Sequence, residues 1–291
     1  MLYSVTHHRC RMVMMVEMRT LGQISRKELT ATYNQAFSDY QVAVNMTEEQ
    51  LGKALARNGF QKDISMGLFD GQALVGFVLN GARDNYCYDC GTAIIPSYRG
   101  KGYACLLATE TLALLRDQGL HTWVLEVLSD NKRAKKLYET IGFTTQREFN
   151  CYQIQAETLI DESKATVELK RQETFFVPSG ECLPSWQNTK EAILAGEVPV
   201  WDIVFSAKKV GVLSFDPLSG SIAQLYIDEQ ERRKGFAGQA LIAAAHLCRT
   251  EFLRFINIDA GYRPLNTLLE KHSFSLFVTQ DEMTRTLRTN A

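Results

Sequence analysis

The residues best suited to chemistry lie in two groups in the first half of the chain. The first group is the turn Arg99-Gly100-Lys101-Gly102-Tyr103-Ala104, which follows an apolar strand pattern and opens an apolar helix pattern. A helix start offers unpaired N–H groups and partial positive charge, and small residues let a pyrophosphate approach the backbone. The turn therefore indicates a phosphate-binding site.

Two common phosphate motifs do not fit this turn. The dinucleotide-binding motif needs a third glycine at a later step, which the sequence lacks. The P-loop needs Gly-Lys-Ser/Thr after a four-residue spacer, which is also missing. The turn thus belongs to another class of phosphate-binding site.

The second group contains a carboxylate, an amide and a phenol at regular intervals. Glu126 lies in the apolar strand pattern Trp123–Leu128, Asn131 follows it, and Tyr138 lies in the short helix pattern Lys132–Ile141. The basic side chains between Asn131 and Tyr138 leave two interpretations open: a solvated helix face or a contact with phosphate groups.

Composition excludes several classes of protein. The 291-residue chain is 45% hydrophobic and has a net charge of -1, which argues against a nucleic-acid partner. No apolar run approaches the roughly 20 residues that span a membrane. Seven cysteines without framework spacing fit reduced thiols, and the lone pair Cys87 and Cys90 lacks further zinc ligands. We expect a cytoplasmic protein without a metal site.

The local patterns predict the elements that position these residues. Ser25 and Thr47 are N-cap candidates for two helices, and Asp70-Gly71 between apolar runs predicts a hairpin. The predicted order is two helices, three antiparallel strands, helix, strand, helix, strand. The late strand–helix–strand crossovers imply parallel pairing, so the fold class is α/β (α+β) with a mixed sheet.

The second half of the chain repeats the first. Arg232-Arg233-Lys234-Gly235-Phe236-Ala237 aligns with the turn at Gly102, and both copies continue with strand, helix and a strand led by phenylalanine. We predict a flexible extension over 1–17, a first domain over 18–155, a linker over 156–172 and a second domain over 173–291.

The first half resembles the GNAT (Gcn5-related) N-acetyltransferases in two ordered motifs. The segment Thr92–Ala104 is similar to the acetyl-CoA-binding signature of that family, and Asn131–Phe143 is similar to its other signature. The resemblance covers most of Met18–Ile154, with a weaker one over about Phe175–Leu287. It implies two tandem GNAT-like domains, each a mixed, mostly antiparallel sheet with helices on both faces.

The resemblance implies acetyl-CoA as co-substrate and assigns the cofactor-binding residues. The pantetheine arm would pair with the strand ending at Ile94 and Ile95, where backbone N–H groups would polarise the thioester carbonyl. Asn131 would contact the arm. The pyrophosphate would be held by the turn: Arg99, Gly100, Lys101, Gly102, Tyr103 and Ala104.

The same resemblance assigns two catalytic residues. Tyr138 matches the tyrosine that protonates the leaving thiolate, and the spacing of Glu126, Asn131 and Tyr138 is similar to that of ribosomal-protein alanine N-acetyltransferases, in which the glutamate is the general base. Each residue has a second interpretation: Glu126 pairs with a basic neighbour on the sheet, or Tyr138 is a core aromatic residue.

The second copy departs from this pattern at the catalytic positions. When Phe274 is aligned with Phe143, Leu269 replaces Tyr138 and Asn257 replaces Glu126. Its turn either still binds CoA or is a relic. We expect a structural role for this copy, either lining the acceptor pocket or forming the face of a homodimer.

The predicted function is acetyl transfer to a primary amine by direct attack in a ternary complex, catalysed by the first domain. The family builds its acceptor site around the first two helices, here residues 33–44, where Asp39 either attracts a cationic amine or is an exposed loop carboxylate. Two alternatives stay open: a non-catalytic acyl-CoA-binding scaffold, or an acyltransferase with another donor or acceptor. The sequence leaves the acceptor amine undefined, whether a small molecule or a protein.

Overall fold

The chain folds into two compact units that exchange segments. The computed structural model describes residues 16–39, 44–162, 165–173 and 183–287. Unit 1 comprises Met1–Glu126, Asn131–Thr144 and Met283–Ala291, and unit 2 comprises Val127–Asp130 and Thr145–Glu282.

Unit 1 is built on a mixed sheet flanked by helices. Its strands follow the order β1-β2-β3-β4-β5, with antiparallel pairing except between β4 and β5. The elements are β1 (Val16–Thr20), α1 (Arg26–Ala36), α2 (Glu48–Arg57), β2 (Met66–Asp70), β3 (Ala73–Arg83), β4 (Tyr86–Ile94), α3 (Tyr103–Asp117), β5 (Thr122–Leu128) and α4 (Lys132–Thr140).

Local signals account for most of these boundaries. The Ser25 hydroxyl accepts the Glu28 N–H at the start of α1, and Thr47 with Gln50 forms a complete capping box at α2. The predicted hairpin at Asp70-Gly71 is confirmed by the pairing of β2 with β3. Strand β1 was not predicted: it begins at Val16 and pairs with β2, so the predicted flexible extension over 1–17 is wrong for Val16 and Glu17, while residues 1–15 lie outside the described part of the chain.

Unit 2 repeats this plan with a longer sheet. Its strands follow the order β12-β6-β11-β10-β9-β8-β7. The elements are β6 (Thr144–Gln155), α5 (Ala156–Glu162), β7 (Glu168–Arg171), α6 (Lys190–Ala195), β8 (Val200–Phe205), β9 (Lys208–Asp216), β10 (Ser221–Ile227), α7 (Phe236–Leu247), β11 (Phe252–Asp259), α8 (Arg263–Lys271) and β12 (Ser275–Thr286).

The two units differ from the two domains that the sequence predicts. Strand β6 comes from the first repeat, yet it pairs antiparallel with β11 inside unit 2. The end of β12 comes from the second repeat, yet it belongs to unit 1, where the Leu287 N–H donates to the His121 carbonyl at 2.7 Å. Backbone pairing between sequence-distant strands leaves no local signal, so the repeat alone could not indicate this exchange.

The segment predicted as a linker over 156–172 contains α5 and β7. Leu159 and Val167 are buried in the core of unit 2, and β7 pairs antiparallel with β8. Glu157, a charged residue of this segment, is exposed on α5. Among the described helices, none combines the length and the apolar character needed to cross a bilayer.

Removing a buried side chain at the end of β12 should destabilise unit 1. Met283 is fully buried, so Met283→Ala should lower the free energy of unfolding of unit 1 by about 2–5 kcal/mol. Urea denaturation measures this change through Trp123, which lies in unit 1. The other two tryptophans, Trp186 and Trp201, lie in unit 2 and are replaced with phenylalanine in all variants.

The matched control on the same strand is Leu276→Ala, because that side chain is 51% exposed. It should change the Trp123 transition by less than about 0.5 kcal/mol. An unchanged Trp123 transition in the Met283 variant would show that unit 1 is stable without this strand.

Candidate active site

The site begins where β4 separates from β5. The two strands pair in parallel only between Tyr86–Tyr88 and Thr122–Val124, whereas β4 stays paired with β3 as far as Ile94. Gly91 lies opposite Leu79 and Asp89 lies opposite Asn80, so the intervening Cys90 forms a β-bulge. A bulge bends its strand, and a gap therefore opens beside the second half of β4.

The backbone polar groups of Ile94 on β4 are directed toward this gap. The Ile95 N–H donates to the Val75 carbonyl on the β3 side at 3.0 Å, so alternation directs the polar groups of Ile94 away from β3. The Ile94 carbonyl accepts the Nε–H of Arg99 at 2.8 Å. Ile95 was predicted beside Ile94 in the site, but its amide is used within the sheet and its side chain is 6% exposed.

The glycine turn adopts a backbone that leaves open space at the start of α3. Gly100 and Gly102 have φ angles of 79° and 81°, in the left-handed region that favours glycine. A Cβ added at either residue would meet no heavy atom within 4 Å. The first N–H groups of a helix have no intrahelical acceptor. The N–H groups of Tyr103 and Ala104, at the start of α3, are therefore available to a ligand in this space.

Arg99 ties the segment after α1 to this turn. Its guanidinium makes two bonds to the Asp39 carboxylate, at 2.7 and 3.0 Å, and one to the Ala36 carbonyl at 2.6 Å. The hydrogen bond from Arg99 lowers the pKa of Asp39. Asp39 was considered as an attractor for a cationic amine, but its charge is paired with Arg99. The neighbouring candidate Tyr40 lies outside the described residues.

A cavity of about 510 Å³ joins the free edge of β4 to the turn and to α4. Its size is typical of a small-molecule site. The predicted site residues that line it are Ile94, Arg99, Gly100, Gly102, Tyr103, Ala104, Asn131 and Tyr138. Lys101 is exposed beside it, with Nζ 5.0 Å from the centre of the Tyr98 ring, and Glu126 lies outside its lining.

Helix α4 supplies the polar wall of the cavity. Asn131 caps α4, with its Oδ1 accepting the Ala134 N–H at 3.1 Å. Tyr138 is 8% exposed, and its ring packs edge-on against Phe143 with centroids 5.6 Å apart. The amide and the phenol therefore reach the cavity from a helix whose ends are both fixed by packing or capping.

Glu126 is held by a buried tyrosine of the neighbouring strand. The Tyr88 hydroxyl donates a hydrogen bond to Oε2 of Glu126, and Tyr88 is 2% exposed. Glu126 itself is half-buried on β5. The structure thus brings it to the part of the gap where β4 and β5 separate.

Asp89 is a site residue that the sequence analysis missed. Its Oδ1 accepts the Gly91 N–H at 2.8 Å, and its Oδ2 accepts the hydroxyls of Thr92 at 2.6 Å and Tyr138 at 3.3 Å. Burial raises the pKa of Asp89 to about 6, against the opposing effect of these hydrogen bonds. A charged residue inside the apolar pattern of β4 was the signal that could have indicated it.

The second copy preserves the backbone of the site. The Nε–H of Arg232 donates to the Ile227 carbonyl at 3.1 Å, as Arg99 does to Ile94. Arg233 and Gly235 have φ angles of 61° and 87° at the start of α7. Strand β10 bulges at Ala223 and pairs with β11 only at Ser221 and Ile222.

Leucine side chains stand at the corresponding positions in unit 2. Leu225, Leu265 and Leu268 align with Thr92, Ala134 and Leu137 of the first cavity, and all three pack against the core of unit 2. Leu269, at the position of Tyr138, is fully buried. The second copy therefore has apolar leucine where the first copy has a threonine hydroxyl, a small alanine and a phenol.

Asn188 bridges the same two strands of unit 2. It is 4% exposed, and its Nδ2 donates to the Ile256 carbonyl of β11 at 2.7 Å. Its backbone carbonyl accepts Nε2 of Gln224, on β10, at 2.5 Å. A segment of the chain itself thus hydrogen-bonds to both strands where they separate.

Comparison with known sequences matches residues 26–143 to the acetyltransferase (GNAT) family. The [ribosomal protein bS18]-alanine N-acetyltransferase of Haemophilus influenzae is 30% identical over 89 residues, which are 31% of this chain and 60% of that protein. This chain therefore spans about 60% of the length of that curated relative.

Comparison with solved structures extends over both copies. A tandem GNAT protein from the clavulanic acid biosynthesis pathway matches with a TM-score of 0.70, covering 95% of this chain and 100% of its own at 11% identity. A GCN5-related N-acetyltransferase from Sphaerobacter thermophilus matches with a TM-score of 0.65, covering 95% and 97% at 13% identity. At such identities the match establishes the fold.

These matches agree with the fold and the site. The fold of the chain is that of tandem GNAT proteins, as the sequence predicts. The segment that matches the GNAT acetyltransferase family, residues 26–143, includes the cavity, the glycine turn and α4.

The raised pKa of Asp89 predicts a pH-dependent stability. The folded protein binds a proton at Asp89 more tightly than the unfolded chain, so this stabilisation is present below about pH 4 and is lost as pH rises through about 6. The free energy of unfolding of Asp89→Asn relative to wild type should therefore increase by about 2 kcal/mol between about pH 4.5 and 7.5.

Urea denaturation at both pH values measures this difference. Asp84→Asn, which removes an exposed carboxylate from the turn between β3 and β4, is the control and should stay within about 0.5 kcal/mol of wild type. A pH-independent difference for the Asp89 variant would mean that Asp89 titrates normally in the folded state.

Proposed function

We propose that the protein is an acetyl-CoA-dependent N-acetyltransferase whose chemistry takes place in unit 1. The observation that carries the proposal is the single cavity shared by the free edge of β4, the glycine turn and Tyr138. The acceptor is a primary amine that attacks directly in a ternary complex. The name of the Haemophilus relative favours a protein N-terminal amine as the first acceptor to test.

The turn at Gly102 fits the pyrophosphate of CoA. The open space above Gly100 and Gly102 lets phosphate oxygens approach the N–H groups that begin α3, where the helix dipole favours negative charge. Arg133 lines the cavity and Lys101 lies exposed beside it, so both add positive charge nearby. Arg99 acts by holding Asp39 and Ile94 in place, because its guanidinium is already bonded to both.

The proposed reaction forms a nitrogen–carbon bond as the carbon–sulfur bond of the thioester breaks. Acetyl-CoA supplies the activated acetyl group. The amine loses a proton to Glu126, directly or through water, and the leaving sulfur gains a proton from Oη of Tyr138. The Ile94 N–H, directed toward the gap, stabilises negative charge on the carbonyl oxygen. Asn131 holds the arm of CoA beside α4.

The second copy is structural in this proposal. Leucine residues stand at the positions that line the cavity of the first copy, Asn188 hydrogen-bonds to β10 and β11, and Leu269 has no proton to donate. The repeated turn at Gly235 therefore keeps its backbone shape without the polar side chains that the proposed reaction uses.

Placing a carboxylate in each turn tests which copy binds CoA. Gly102→Glu should raise the Kd for acetyl-CoA at least about tenfold, by bulk and by repulsion of phosphate, and should abolish acetyl transfer. Gly235→Glu should leave both nearly unchanged. The pair is matched, because both glycines have positive φ and a Cβ at either would meet no atom within 4 Å.

Calorimetric titration measures binding, and free-thiol release with a panel of amines, including peptide N-termini, measures transfer. Circular dichroism must show that both variants are folded. Loss of transfer in the Gly235 variant alone would place the reaction in unit 2. Binding of acetyl-CoA without thiol release from any amine would favour the non-catalytic alternative.

Removing the Tyr138 hydroxyl should slow the chemical step while leaving binding intact. Tyr138→Phe should reduce the single-turnover rate by about 10²–10⁴-fold, the usual contribution of a general acid, with an unchanged Kd for acetyl-CoA. Phe143→Leu tests packing at the same ring without removing the hydroxyl, and should reduce the rate less. A wild-type rate in the phenylalanine variant would show that another group protonates the sulfur.

A further inference from the structure

Asp89 lies directly behind Tyr138 as seen from the cavity. The hydroxyls of both Thr92 and Tyr138 bond to the same oxygen, Oδ2 of Asp89, and both of these residues line the cavity. Asp89 is 7% exposed and does not line the cavity itself. Any effect of Asp89 on a ligand in the cavity therefore passes through Thr92 and Tyr138.

The two hydroxyls approach Asp89 to different distances. The distance from Tyr138 Oη to Asp89 Oδ2 is 3.3 Å, whereas the Thr92 hydroxyl approaches the same atom to 2.6 Å. Hydroxyl hydrogen bonds are usually about 2.7–2.8 Å long. The contact with Tyr138 is therefore long, so a change in the charge of Asp89 can reorient the Tyr138 hydroxyl proton without moving its oxygen.

We propose that Asp89 is a positioning residue that directs the Tyr138 hydroxyl proton, toward itself when ionised and into the cavity when protonated. A proton on Oδ2 can donate to Tyr138 Oη, so the hydroxyl proton of Tyr138 must then point away from Asp89. The inference rests on the proposed function, in which Tyr138 protonates the leaving sulfur.

The protons balance over one turnover: Glu126 gains the proton that the amine loses, Asp89 supplies the proton that the sulfur gains, and exchange with solvent then restores both carboxyl groups. As the carbon–sulfur bond breaks, the sulfur takes the proton of Tyr138 Oη, and the tyrosine oxygen takes the proton of Asp89 Oδ2. Asp89 is left as a carboxylate, which its bonds from Gly91 and Thr92 stabilise. With Asp89 already ionised, the same transfer would place two anions side by side, which is unfavourable.

The titratable groups around Asp89 lie on β3, β4, β5 and α4. Cys87 and Cys90 flank it on β4, and burial raises the pKa of both thiols, so they remain neutral as Asp89 titrates. The charges of Arg83 on β3 and Glu126 on β5 act on the adjacent Cys90, and Tyr138 approaches from α4. Ionisation of the proposed base Glu126 increases the rate of transfer as pH rises, whereas ionisation of Asp89 decreases it.

Nuclear magnetic resonance of tyrosine labelled with ¹³C at Cζ tests the pairing without any substrate. The Tyr138 signal, assigned by its loss in Tyr138→Phe, should shift with a midpoint near pH 6, where Asp89 titrates. The shift should disappear in Asp89→Asn. In Thr92→Val it should persist at a higher midpoint, because the Thr92 hydroxyl stabilises the ionised form. A persistent shift in Asp89→Asn would overturn the proposal.

The pH dependence of the rate tests the consequence. The ratio of single-turnover rates, wild type over Asp89→Asn with one acceptor, cancels the ionisations of the amine and Glu126. We expect it to fall up to about tenfold per pH unit above about pH 6, because the asparagine amide donates a hydrogen bond to Tyr138 Oη at every pH, whereas Asp89 does so only when protonated. The amide cannot transfer its proton, which lowers the rate of the variant by a factor that does not depend on pH. In the Tyr138→Phe background the ratio should not change with pH.

The outcomes separate this inference from the proposed function. Equal pH dependence of the ratio in both backgrounds would show that Asp89 acts on structure alone, which overturns the inference. Absence of transfer by wild type with every amine would overturn the proposed function, while the Tyr138 resonance would still confirm or reject the pairing with Asp89.

Discussion

The architecture of the site depends on one backbone constraint: β4 must satisfy its hydrogen bonds with β3 while leaving its other edge unpaired. The bulge at Cys90 reconciles the two demands, because pairing with β5 ends at Tyr88 while pairing with β3 continues to Ile94. Unpaired polar groups on a strand edge are costly unless a ligand or water satisfies them. The free edge is therefore tolerable because it borders a cavity.

The two copies share a backbone conformation but differ in the residues that surround it. Both have the bulge, the left-handed glycine before the long helix, and an arginine bonded to the end of the strand. The copies differ in side chains, since Ala134 in the first copy corresponds to Leu265 in the second, and in the segment at Asn188 that bonds to both strands of the second copy. Side-chain volume matters here because protein interiors are close-packed.

The sequence predicted features that depend on neighbouring residues. The capped helices, the Asp70-Gly71 hairpin and the glycine turn rest on local chemistry, and all are present. The pairing of Arg99 with Asp39 was beyond reach, because it depends on how a loop returns to the turn.

Strand register explains the remaining differences within the site. Ile94 and Ile95 are neighbours in the sequence, yet the backbone of Ile94 is directed toward the gap and that of Ile95 bonds to β3. The sequence does not indicate which of the two takes which direction. Asp89 escaped notice for a related reason, since only the bulge brings it to Tyr138. Positions whose role depends on register or long-range pairing need a three-dimensional structure.

The exchange of strands between the repeats has a consequence for biosynthesis. The residues of unit 1 that emerge first from the ribosome cannot complete their fold until Met283–Leu287 has been made, because those residues belong to the same compact unit. During synthesis an N-terminal domain normally finishes folding first. In this chain unit 1, which contains the N-terminal repeat, is completed last. A nascent chain halted between the repeats would lack Met283–Leu287, and the first half of the gene alone would therefore encode an incomplete unit.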